Sequence, residues 1–387
     1  MMRMRYTSLL ALCTLLVLPA EAKSQPRAAT GTSGYQKLRL IRVEAPSLTD
    51  PRATQFLAAN SKGQLFLLRG DTLEVFRLSS DGGFDRRVGK LACELDMSAK
   101  SAYVAAMDPT GLTWAVGSPH ELALCDFAKE RRPEGLHWVI SSLTYSRSGP
   151  LVAVTSLGPP AGAAEARYKM TEPRVFGLKD DRWEPVAWGR VSEGPMPDDP
   201  LKLMAEAKAE SDSLICAGRK DAIWRASWNA YQLQKLSSSE KPEREIVVGK
   251  GGVEWQRLDQ KEQAREAGDR RAQGLFLIPG SGPGGPVARG VVRALLCAPD
   301  GVLYLVASTD EGLALDRFDP SQNLLERVLL DGPRVSTGPM TAALSGEELW
   351  LGGRLVGDGL WRISPDDLAA ARWKPVKGVS IDGKPMP

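Results

Sequence analysis

The feature that most constrains this chain is a unit that recurs along it. A short apolar strand leads through a polar turn into a second strand, and a brief loop then leads into a third that carries Leu or an aromatic residue beside a charge. It first reads Phe56 to Ala59, a turn at Asn60-Ser61-Lys62-Gly63, Leu65 to Leu68, and Leu73 to Leu78. It returns as Tyr103 to Met107, a turn at Asp108-Pro109-Thr110-Gly111, Trp114 to Val116, and Leu122 to Phe127. A third copy has Leu143 to Tyr145, a turn at Gly149, Leu151 to Val154, and Arg174 to Leu178. The fourth is poorer, with a turn near Asp212, a second strand at Leu214 to Cys216 and a third from Ala222 to Arg225. The fifth runs Ala294 to Ala298, Pro299-Asp300-Gly301, Val302 to Val306, and Leu313 to Phe318. The sixth turns at Gly346 and continues through Glu348 to Leu351 and Gly359 to Ile363.

Each unit is a hairpin followed by a further antiparallel strand. Asp, Asn and Gly at the first turn tolerate positive φ, and the flanking runs are short and rich in Val, Leu and aromatics. Most turn-to-turn spacings fall near the roughly 40 to 50 residues of a four-stranded propeller blade. One such blade cannot bury both faces alone, so neighbours must stack, and a closed ring limits exposed edges. The 38 Gly and 27 Pro suit many short strands joined by turns. Tyr35 to Glu44 reads as a lone strand that completes the last blade. The expectation is an all-β chain, a β-propeller of six or alternatively seven four-stranded blades with charged and Gly/Pro-rich insertions, occupying 35–376 and followed by a C-terminal tail at 377–387.

With these turns the sequence resembles the β-propeller repeat superfamily, especially the extracellular bacterial kinds with YVTN- or WD40-like blades and a D-x-x-G or D-G turn before an apolar strand. The G-H and W-D signature of WD40 blades is missing. Such a resemblance implies fold, because propellers serve as enzymes, ligand binders and scaffolds alike.

Two long spacings mark insertions or a hidden blade. The first holds the small-residue loop Gly158 to Thr171 and a stretch of helical propensity from Leu201 to Lys208. The second holds the charged Asp259 to Gln273, read as a short solvated helix, and the Gly/Pro-rich 280–290. Pairing of Glu254 to Leu258 with Leu275 to Ile278 would make a seventh blade.

The N-terminus has a charged Met1 to Arg5, an apolar run from Leu9 to Leu18 and an Ala20-Glu21-Ala22 site before Lys23. This is the pattern of a cleavable signal peptide. The run is too short for a bilayer of roughly 30 Å. Residues 1–22 are therefore expected to be removed, 23–34 to be a flexible segment, and the product to be periplasmic or secreted with no transmembrane segment. Four cysteines survive that cleavage: Cys93, Cys125, Cys216 and Cys297. An even number in an exported chain permits two disulfides, while the apolar run around each also suits buried thiols.

A formal net charge of +3 gives no electrostatic footprint for nucleic acid. The two histidines, His120 in a loop and His137 on an expected fourth strand, have no nucleophile or metal-ligating neighbours in sequence. Asp108, Asp300 and Asp316 fall at repeated turn and strand positions. No metal and no cofactor are expected, and enzyme activity is left open with a leaning against it. The favoured role is a monomeric scaffold for a protein or small-molecule ligand. The alternatives are a lactonase- or lyase-like enzyme with its site at the central channel, and a component of a surface or periplasmic assembly. A partner is expected on the face made by loops between second and third strands, with Arg69, His120, Tyr168, Arg219 and Arg354 as contacts.

Overall fold

The computed structural model describes residues 34–43, 54–79, 84–94, 104–118, 121–136, 139–155, 167–171, 174–187, 191–195, 213–239, 242–249, 255–257, 286–288, 291–331, 340–353 and 359–386. Both histidines, residues 1–33 and the two stretches expected to be helical lie outside them. Among the described residues the strands form six four-stranded antiparallel blades. Counting from the axis outward, blade 1 is Gln55–Ala59, Leu65–Arg69, Glu74–Leu78 and Phe84–Lys90. Blade 2 is Val104–Met107, Trp114–Gly117, Leu122–Cys125 and Glu130–Arg131, and blade 3 is Val139–Ser146, Gly149–Thr155, Arg174–Lys179 and Arg182–Ala187. Blade 4 is Ser213–Ala217, Ile223–Ser227, Gln232–Lys235 and Arg244–Val248. Blade 5 is Val292–Cys297, Leu303–Thr309, Gly312–Asp319 and Leu324–Asp331. Blade 6 is Met340–Ser345, Glu348–Gly353, Leu360–Ile363 and, from the opposite end of the sequence, Ile41–Val43.

Period-two alternation explains why the strands are apolar on both sides. In blade 1, Leu65 and Leu67 pack with Trp350 and Leu360 of blade 6, while Phe66 and Leu68 pack with Met107 and Trp114 of blade 2. The same arrangement runs round the ring, and one apolar cluster occupies each of the six junctions. Each fully buried Leu or Val contributes roughly 1.5–3 kcal/mol, so the junctions hold the ring together. The repeated turn residues act on their own backbone. Asp108 Oδ1 accepts from the amides of Leu112 and Thr113, both at 2.9 Å, and Asn60 Oδ1 accepts from those of Lys62 and Gln64. Gly301, in the Asp300-Gly301 turn, has φ +100°, which a side chain would resist.

The expected lone strand divides in two. Lys37–Arg39 runs parallel to Leu329–Asp331 on the outside of blade 5, and Ile41–Val43 pairs with Leu360–Arg362 to complete blade 6. The segment expected as a tail carries Val379–Ile381, which pairs with Ile246–Val248 on the outside of blade 4. Just before it, Lys374–Pro375 pairs with Glu326–Arg327 of blade 5.

Three expectations are corrected. In the fourth copy, Ser213–Ala217 is the innermost strand rather than the second, and the turn follows it at Arg219–Asp221. The misreading arose because Asp212, before the strand, mimics the repeated turn. The fourth strand expected around His137 lies elsewhere: the fourth strand of blade 2 is Glu130–Arg131, and Val139 opens the innermost strand of blade 3. Finally, Trp255–Arg257 pairs with Pro286–Ala288 as a two-stranded ribbon within the connection from blade 4 to blade 5. A two-stranded ribbon is not a four-stranded blade, and Leu275 to Ile278 lies outside the described residues. Among the described residues no helix is long and apolar enough to cross a membrane.

Candidate functional site

Each innermost strand hydrogen-bonds along one edge only, which leaves its other edge facing the axis. Side-chain hydroxyls join two of these strands to their neighbours. Thr341 Oγ1 of blade 6 accepts from the Leu57 amide of blade 1 at 2.6 Å, and Ser142 Oγ of blade 3 accepts from the Ile215 amide of blade 4 at 3.2 Å. The space they enclose is about 570 Å³, a size suited to a small ligand. Its wall includes Ala58, Ala106, Leu214, Leu296 and Ala342; among the described residues its charged lining groups are Arg147, Arg219 and Asp221, so no group of carboxylates converges there among them. Among the described residues no cluster of His, Cys, Asp or Glu is placed to hold a metal ion.

Because the strands of a blade alternate in direction, the turns after first strands lie at one end of the ring. The loops after second strands lie at the other, together with the connections between blades. The first end is made of short turns that touch one another. The Ser61 amide donates to Pro109 O at 2.8 Å, and Ser345 Oγ donates to Gly63 O at 2.5 Å. Asp221 in turn accepts from the Arg147 amide at 3.0 Å and from Ser148 Oγ at 3.3 Å. The second end carries the long connections 156–173, 188–212 and 249–291. Within them are two ribbons, Arg167–Thr171 paired with Val191–Pro195 and Trp255–Arg257 paired with Pro286–Ala288.

Of the five expected contacts, three fall within the described residues. Arg69 ends the second strand of blade 1 at the elaborated end, but it is buried and grips Asp71 through hydrogen bonds of 3.1 and 2.6 Å. Its guanidinium is thus engaged internally rather than presented. Tyr168 lies on the first ribbon, opposite Gly194. His120 and Arg354 lie outside the described residues. Arg219 is exposed in the turn of blade 4, so it sits at the hairpin-turn end, opposite Arg69. That placement follows from the corrected strand order of blade 4. Arg147 and Asp221 were not foreseen, because a contact between turns 74 residues apart leaves no mark in either turn.

Two disulfides cross blade junctions. Cys93, after the last strand of blade 1, bonds Cys125 of blade 2, and Cys216 and Cys297 bond across the innermost strands of blades 4 and 5. Tyr145, on the innermost strand of blade 3, has its hydroxyl buried without a hydrogen-bond partner. Burial, reinforced by the Asp108 carboxylate, pushes its pKa far above the ordinary value of 10.0.

No family model matches the chain, and no curated protein matches it. Among solved structures it is similar to a catalytically inactive virginiamycin B lyase from Staphylococcus aureus solved with quinupristin. The identity is 12%, with 88% of each chain covered and a TM-score of 0.43. It is also similar to U3-55K, at 10% identity over 85% of this chain and 99% of that one, TM-score 0.44. A chain of a mitotic checkpoint complex matches at 11% identity over 91% and 99%, TM-score 0.42. Likeness at this level concerns architecture alone, and the strand pairing establishes that architecture independently as a six-bladed β-propeller.

Proposed function

We propose that this chain is an exported β-propeller that acts as a binding scaffold, taking a protein or small-molecule partner at its elaborated end. The observation that carries this reading is the asymmetry of the ring: the long connections between the described strands return to one end, while the other is rimmed by short turns. Long connections on a rigid frame are where binding residues concentrate. The channel wall, with one carboxylate already bonded to a neighbouring turn, favours binding over lactonase- or lyase-like chemistry. Tyr168, on the first ribbon, belongs to the elaborated end, and Arg219 does not. Export after removal of residues 1–22 is part of the proposal. It is supported by the n-region, apolar run and Ala20-Glu21-Ala22 site, and by two disulfides of the kind that persist in oxidising compartments.

The test places a photo-crosslinking residue singly at Thr72, Ser118 or Thr309 on the elaborated end, and at Lys62, Thr110 or Glu347 on the hairpin-turn end. The variants are made in cells that naturally produce the protein. A discrete adduct from the first set alone is expected. Adducts from the second set only, or turnover of a panel of lactones by the purified chain, would overturn the reading. N-terminal sequencing of the mature product is expected to begin within a few residues of Lys23.

A further inference from the structure

We propose a second site, at the hairpin-turn mouth of the central channel, that binds a small molecule bearing a carboxylate or phosphate group. Among the described residues, two guanidinium groups and one carboxylate are the charged groups lining the channel. The carboxylate of Asp221 is occupied on both oxygens, by the Arg147 amide and Ser148 Oγ. Its bonds tie the turn of blade 3 to that of blade 4, which holds Arg147 and Arg219 on neighbouring sectors of the rim. Among the described residues neither guanidinium has a hydrogen bond or ion pair, and both residues are exposed. Guanidinium recognises carboxylate and phosphate through paired N–H donors.

The channel behind them adds to this: its wall includes Ala58, Ala106, Leu214 and Ala342, a low-dielectric surface that focuses toward the mouth the field of two guanidinium groups in excess over the single Asp221 charge. A volume of about 570 Å³ admits a compact metabolite-sized anion and excludes a folded partner. This site lies at the end opposite the proposed docking face, so each can fail without the other.

The experiment is calorimetric titration of the full mature chain with citrate and, separately, inorganic phosphate, against sodium chloride at matched ionic strength. Saturable binding of at least one probe at about one per chain is expected. The double variant Arg147→Gln/Arg219→Gln should bind about tenfold or more weakly, a loss of about 1.4 kcal/mol. Arg147→Lys/Arg219→Lys should recover part of the affinity. Both substitutions are at exposed positions, and an unchanged unfolding midpoint confirms that the variant is folded. Citrate binding without phosphate binding assigns a carboxylate ligand, and the reverse assigns a phosphate. Heat no different from chloride for both probes, or equal affinity in the Gln double variant, would overturn the proposal.

Discussion

Arg327 holds Asp316 through two parallel hydrogen bonds of 2.7 Å inside blade 5, where the carboxylate is fully buried. Tyr231, from the loop of blade 4, donates its hydroxyl to the same carboxylate, so one buried charge fastens two blades. The Arg327 guanidinium also lies 5.9 Å from the ring of Tyr35, where the described N-terminal strand begins. Asp316→Asn should therefore lower stability by about 3–5 kcal/mol, because it leaves a guanidinium buried without a counter-charge. Replacing the trio together, as Tyr231→Phe/Asp316→Leu/Arg327→Met, should recover most of that loss in urea unfolding. A single Asp316→Asn variant as stable as the parent would show that the pair contributes nothing.

Alkaline pH should unfold the protein, and the sign follows from the tyrosines. Burial raises the pKa of Tyr231, and the Asp316 charge raises it further; Tyr145 and Tyr304 are raised by burial as well. The native state therefore keeps protons that the unfolded chain releases near pH 10. Stability is fully present below that value and falls as pH rises past it. Tyr145→Phe removes one such group whose hydroxyl bonds to nothing, and should flatten the slope of stability against pH above about 10. Equal slopes in parent and variant would contradict this.

The disulfides should matter as clamps between blades. Replacing Cys216 and Cys297 together by Ala should cost about 2–4 kcal/mol, read as a lower midpoint of chemical unfolding. From Cys93 onward, mass spectrometry of the unreduced protein should find no cysteine open to alkylation. Four alkylated cysteines would sink the assignment.

Deleting residues 35–43 should open the ring. The deletion removes Leu38, Leu40 and Val43, all buried, worth together roughly 4–9 kcal/mol by burial alone. It also strips blade 6 of its outer strand. Hydrogen exchange in Leu360–Ile363 should accelerate markedly, and unchanged protection there would argue against closure by this segment.

Much of the architecture was legible because it rests on local chemistry repeated often. Five copies of an Asp, Asn or Gly turn between apolar runs mark the correct strands, and the same turns satisfy their own backbone as at Asp108. Blade 4 misled because its turn is Arg219–Asp221, with Lys220 and Asp221 at positive φ in place of a glycine. The site was far less legible. Arg69 looked like a ligand contact by loop position, yet Asp71 two residues on had already claimed it. The Arg147–Asp221 relation depends on ring geometry that no window of sequence contains.

The pairing of Ile41–Val43 with Leu360–Arg362 sets the order of events when the molecule is made. This early strand finds its partner only when more than 300 further residues have followed, so no early intermediate can be a locked ring. Until then blade 6 offers a bare edge, and the N-terminal strand is itself an unpaired apolar segment, the condition in which chains stick to one another. So distant a contact also makes the final step slow on the scale set by chain topology. Closure is therefore a property of the finished chain: the ring locks only once its last blade has arrived.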